Sequence, residues 1–148
     1  MHIIYHCYGG AHSSVVAAAI HLGLLPLPDA STAAVQALPY FDLHTSRDLG
    51  RLFYYGTDAR GHAVFILGRA RAAAILERAV RAGFSLAGKK QALLFVDTLP
   101  AVNWWMRIGG FLSRRLQWVG LGRPLVTYGT LHALPKLATL VRETLEQL

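Results

Sequence analysis

Residues 1–23 commit the chain to a strand, a glycine turn and a helix before anything else is read. Ile3-Ile4-Tyr5-His6-Cys7 is short, β-branched and aromatic, the composition of a buried strand. Tyr8-Gly9-Gly10-Ala11-His12 breaks it, and residues 15–22 resume as an alanine-rich helix that stops at Gly23, with Ser13 or Ser14 as its expected N-cap. Ala17, Ala18 and Ala19 are small enough for that helix to lie close on a sheet. Such a unit leaves backbone N–H groups unpaired at the positive end of a helix dipole, and two glycines let a ligand approach the main chain. It therefore reads as a P-loop/Rossmann-like strand-loop-helix unit that binds a phosphate or carboxylate.

Further along, residues 30–38 predict a short helix capped by Asp29 and stopped before Pro39. Residues 51–56 and 62–67 flank a turn-rich linker and predict one β-hairpin, and residues 70–82 predict a helix that Gly83 ends. Ala92-Leu93-Leu94-Phe95-Val96-Asp97 is an apolar run closed by an acid, as a buried parallel strand ends. Trp104, Ile108, Phe111 and Leu112 form a helical stripe that Gly109-Gly110 weakens. Leu125-Val126-Thr127-Tyr128 predicts the last strand, and residues 130–148 a closing helix in which Pro135 imposes a late start or a kink. The alternation is that of an α/β fold, a three-layer sandwich with a mostly parallel sheet plus the hairpin. With no linker or repeat, residues 1–148 read as a single domain.

At 148 residues, 53% hydrophobic and 16% charged, the chain can bury one sizeable core. One cysteine excludes an intrachain disulfide and suits a reducing cytoplasm. No signal peptide is visible, and no apolar run reaches the roughly 18 residues of a membrane span, so a soluble protein without a membrane partner is expected. The high hydrophobic content then belongs to a core or to a homodimer interface. The net charge of +7 suits an anionic partner, but no nucleic-acid-binding motif accompanies it, so nucleic acid is not expected.

Ligands of open α/β sheets bind beyond the carboxyl ends of strands, which gathers the loop from Cys7 to Ser14, Asp97-Thr98 and Tyr128-Gly129-Thr130 on one rim. Gly9, Gly10, Ala11, Ser13 and Ser14 would cradle an anionic small molecule, His12 and the serine hydroxyls would donate to it, and Thr130 would complete the rim. Asp97 with Thr98 would hold a metal, water or ribose, or Asp97 merely caps the next turn. A Walker A lysine is missing, and no cofactor is specified. Cys7 is either a nucleophile or a buried core thiol, with His12 as the accompanying base. Val is expected at position 10 to abolish binding without unfolding the chain. His2, His6, His12 and His21 are crowded, but their spacing matches no metal motif, so no metal site is assigned. Arg107, Arg114, Arg115 and Arg123 interleave with Trp104, Trp105 and Trp118, either to engage an anionic partner or to cover apolar surface while the tryptophans fill a core or an interface. Thr57-Asp58 either reaches the site or serves the hairpin turn.

Cys7 and Ser14 stand where low-molecular-weight tyrosine phosphatases carry C-x5-R-[ST], with Ser13 in place of the arginine that clamps the phosphoryl group. The run from Cys7 to Ala18, Tyr55-Gly56-Thr57-Asp58, Phe95-Val96-Asp97-Thr98-Leu99-Pro100 with Asn103, and Ile108-Gly109-Gly110-Phe111-Leu112-Ser113-Arg114 with Gly122-Arg123-Pro124 resemble the bacterial family known as domain of unknown function 3189, over essentially the whole chain. The resemblance implies a small cytoplasmic domain, supplies no catalytic residues, and makes Gly9, Gly10, His12, Ser13 and Ser14 that family's own pattern. Three functions stay open: binding of a phosphorylated small molecule or nucleotide, a phosphotransferase or hydrolase using Cys7 or His12, and a non-catalytic protein-interaction module.

Overall fold

The first apolar run becomes β1 (His2–Cys7), an interior strand of a four-stranded open sheet of order β2-β3-β1-β4 in the computed structural model, which describes residues 1–114, 116 and 118–148. The other strands are β2 (Leu52–Thr57), β3 (Ala63–Gly68) and β4 (Leu93–Asp97), and the helices are α1 (Ser13–His21), α2 (Thr32–Gln36), α3 (Ala73–Leu86), α4 (Trp104–Arg114) and α5 (Val119–Glu146). β1 pairs in parallel with β3 and β4, placing Ile3 beside Val64 and Leu94, while β2 and β3 form the predicted hairpin, its register shifting between Tyr54 and Gly56.

The fold is α/β, but its sheet is mixed and not mostly parallel: β2 runs antiparallel to β3, and the strand expected at residues 125–128 lies inside α5. Packing overrides the β propensity of Val126, Thr127 and Tyr128 there. A Cβ on Gly109 would collide with the backbone of Val126, one on Gly122 with Ser113, and one on Gly129 with Met106. Helices α4 and α5 thus meet backbone to backbone across three glycines, and Gly109 serves that approach instead of breaking α4. Helix α5 starts at Val119, well before residue 130, with both Pro124 and Pro135 inside it.

Two helix ends also differ from expectation. Ser31, not Asp29, caps α2 by accepting the Ala34 N–H at 3.1 Å. Helix α3 runs through Gly83 to Leu86 and is followed by Gly88 at φ +67°, since one glycine costs a helix only about 1 kcal/mol.

Residues alternate across β1, so Ile3 and Tyr5 face one side and His2, Ile4 and His6 the other. The main core forms on the first side, where Ile3, Tyr5, Val64 and Ile66 pack with Val15 to Ala19 of α1 and with Val126, Leu137 and Val141 of α5. On the other side α3 reaches the sheet through Phe84, edge-on to His2, and Arg81, over the Phe95 ring, and buries no residue of its own. No helix among the described residues is long and apolar enough to cross a membrane.

Candidate functional site

The carboxyl ends of β1, β3 and β4 bring Cys7, Gly68-Arg69 and Asp97-Thr98 to one rim. Pairing continues past the strands there: the Arg69 N–H donates to the Cys7 carbonyl at 3.0 Å and the Ala70 N–H to the Tyr8 carbonyl at 2.9 Å. Gly10 turns the chain at φ +69°, and a Cβ on it would stand 2.6 Å from the Gly68 nitrogen. Val at position 10 would therefore push against the main chain of the rim, contrary to the expectation of a fold-neutral change. Gly9 has no left-handed backbone and open space around it, so it tolerates a side chain.

Cys7 is buried at the centre of the loop. Its Sγ accepts the Gly10 N–H at 3.1 Å and shares a hydrogen bond with the Ser14 hydroxyl at 3.2 Å. The Thr98 hydroxyl donates to the His6 carbonyl at 3.0 Å, which leaves its oxygen to accept from the Ser13 hydroxyl at 2.8 Å. Both serines are thus turned away from capping, and His12 occupies the N-cap position of α1 with no side-chain cap bond, a correction of the expected Ser13 or Ser14 cap. The first helical bond runs from the Val16 N–H to the His12 carbonyl. Among the described residues the backbone N–H groups of Ala11, His12, Ser13, Ser14 and Val15 meet no acceptor.

The loop is braced by a segment that sequence reasoning passed over. His12 Nε2 donates to Asp42 at 2.9 Å, and the buried Asp42 carboxylate also accepts the Ser113 hydroxyl, at 2.8 and 2.7 Å to its two oxygens. The Asp42 N–H donates to the Ala11 carbonyl at 3.0 Å, and His44 Nδ1 to the Gly10 carbonyl at 2.8 Å. Tyr40 and Asp42 hold left-handed backbones at φ +64° and +55°, a conformation uncommon outside glycine. Nothing periodic marks Asp42 or His44 in the sequence.

Arg69 was also missed, although the rule that singled out Asp97, a polar residue just beyond a strand's carboxyl end, applies to it equally. Its guanidinium donates to Asp97 at 2.8 Å and to His6 Nδ1 at 2.9 Å. Burial lowers the His6 pKa, against the opposing pull of Asp97, which favours the neutral ring that can accept from Arg69. His6 lies on the sheet face opposite Cys7. The part-exposed Asp97 accepts the Leu99 N–H at 3.0 Å, so it both caps its turn and pairs with a cation.

The remaining expectations fall elsewhere. Thr130 is buried within α5 and donates to the Val126 carbonyl at 2.7 Å, so it belongs to no rim loop, for the reason that residues 125–128 are helical. Asp58 sits at the opposite end of the sheet, accepting from His21 Nε2 at 3.1 Å, from His62 Nδ1 at 3.0 Å and from the N–H groups of Arg60 and His62. Burial pushes its pKa up, but these donors outweigh it and hold the value at about 2. Among the described residues no group of three or more His, Cys, Asp or Glu is placed to hold a metal. Trp104, Trp105 and Trp118 are 67%, 48% and 60% exposed, so they fill no core of this chain. Arg115 lies outside the described residues.

The chain matches the model of a family described as "Protein of unknown function (DUF3189)" over residues 2–146. No curated protein and no solved structure matches it.

Proposed function

The chain belongs to the DUF3189 family, and because that description names no activity we propose, from the site itself, that the loop from Cys7 to Ser14 binds the anionic group of a phosphorylated small molecule or nucleotide. One observation carries this reading: successive N–H groups from Ala11 to Val15 open a helix with no side-chain cap and no acceptor among the described residues. Unpaired N–H groups at the positive end of a helix favour an anion over water. Gly10 lets the loop pack on Gly68. Ser13 and Thr98 act indirectly, their hydroxyls being engaged with each other. On this reading the P-loop-like unit works within one cytoplasmic α/β domain.

A thermal-shift screen against inorganic phosphate, sugar phosphates and nucleotides tests the proposal, with Gly9→Asp as the control. The new carboxylate finds open space but repels an anion. Stabilisation by a few degrees in the native chain, lost in Gly9→Asp, is expected. No shift with any phosphate compound, or an equal shift in the variant, would refute it.

A second reading, a phosphotransferase or hydrolase with Cys7 as nucleophile, is favoured by the Gly10 N–H donated to its sulfur and by the hydrogen bond it shares with the Ser14 hydroxyl. His12, oriented by Asp42, would be its base, although the phosphatase arginine is missing. Turnover of a chromogenic phosphate ester that Cys7→Ser abolishes would decide for it.

A further inference from the structure

All three tryptophans of the chain fall between residues 104 and 118, and all are exposed. Among the described residues Met106, Gly109 and Ser113 are the buried positions of α4, so Trp104, Arg107, Ile108 and Phe111, spaced i, i+3, i+4 and i+7, line its outward side. The Arg107 guanidinium lies 6.0 Å from the centre of the Trp104 ring. Beyond α4 the exposed apolar surface continues through Leu116, Trp118 and Leu121. No carboxylate occurs between Asp97 and Glu143; of the basic residues there, Arg107 is exposed on the outward side of α4, while Arg123 turns to the Gln36 carbonyl.

We infer that the outward side of α4 and the start of α5 dock on the surface of an anionic phospholipid bilayer. The contact is peripheral and requires no membrane-crossing segment. Charge selects the occupant first: a second copy of this chain would set Arg107 and an acid-free stretch of chain against the same elements, whereas an anionic headgroup layer complements them. The side chains then favour lipid over nucleic acid. Tryptophan rings settle at the headgroup level, with Phe111, Leu116 and Leu121 entering the acyl boundary, and the two leucines gain nothing from nucleic acid. The glycine contacts with α5 brace α4 as a rigid support for this face.

Cosedimentation of the full chain with vesicles of phosphatidylcholine alone, or mixed with phosphatidylglycerol, tests the inference, with tryptophan emission recorded in parallel. Binding to the anionic vesicles with blue-shifted emission is expected, weakened by salt and about fivefold by Arg107→Gln. Trp104→Ser combined with Trp118→Ser should remove it while circular dichroism and the thermal transition stay native-like. No pelleting, equal pelleting with neutral lipid, or binding unchanged in the double variant would overturn the inference. So would a Trp118-dependent dimer in light scattering, or duplex DNA binding that the same substitutions abolish in the absence of lipid association.

Discussion

Asp58 shows how one carboxylate can hold two elements together. It collects two backbone N–H groups within the hairpin turn, His62 from the start of the returning strand and His21 from the end of α1, and His21 lies in turn 2.8 Å from the Tyr5 hydroxyl. Its folded pKa of about 2 lies below the ordinary 3.8. A depressed carboxylate contributes stability that is fully present above the unfolded pKa and is lost as pH falls through the folded one, here from about 4 toward 2. Asp58→Asn is expected to cost about 2 kcal/mol near pH 7 and to flatten that acid limb. Urea midpoints at pH 7 and pH 3 check this: the gap between native and variant should narrow at the lower pH, and a constant gap would contradict it. From sequence Asp58 could be read either as a turn residue or as a site residue, because His21, the partner that ties it to α1, is distant on the chain. Gly10 was legible as a turn glycine, whereas its contact with Gly68, which makes it irreplaceable, was not.

Elements were legible where their pattern is local. The hairpin appears one residue from its expected position because short apolar runs around a glycine-bearing turn specify it. Helix α1 ends at Gly23 as read, with that glycine at φ +67°. Residues 125–128 were misread because their identities favour a strand, while their conformation is decided by α4. The central glycine of that contact, Gly109, tests the point. Gly109→Ala raises helix propensity, yet its methyl group meets the backbone of Val126, so a loss of about 1–3 kcal/mol is expected from overpacking. A chemical-denaturation midpoint at or above that of the native chain would show that the two helices are not held at backbone contact.

Across the whole molecule, sheet order places the rim. Because β1 runs between β3 and β4, Cys7, Arg69 and Asp97 converge although far apart in sequence. The Cys7 and Asp97 parts of this were readable from strand ends, and the bracing by Asp42 and His44 was not, since it depends on a segment with neither periodicity nor motif. The same convergence separates Asp58 from the loop by the length of the sheet; on the proposed reading the first turn of α1 takes the anion. The most direct test is an amide NMR titration of the native chain with inorganic phosphate. Saturable shifts concentrated on the N–H groups of Ala11 to Val15 are predicted, with Asp58 and the α4 face unmoved. A titration that leaves those five amides in place, or moves only amides elsewhere, would contradict the loop as the anion site.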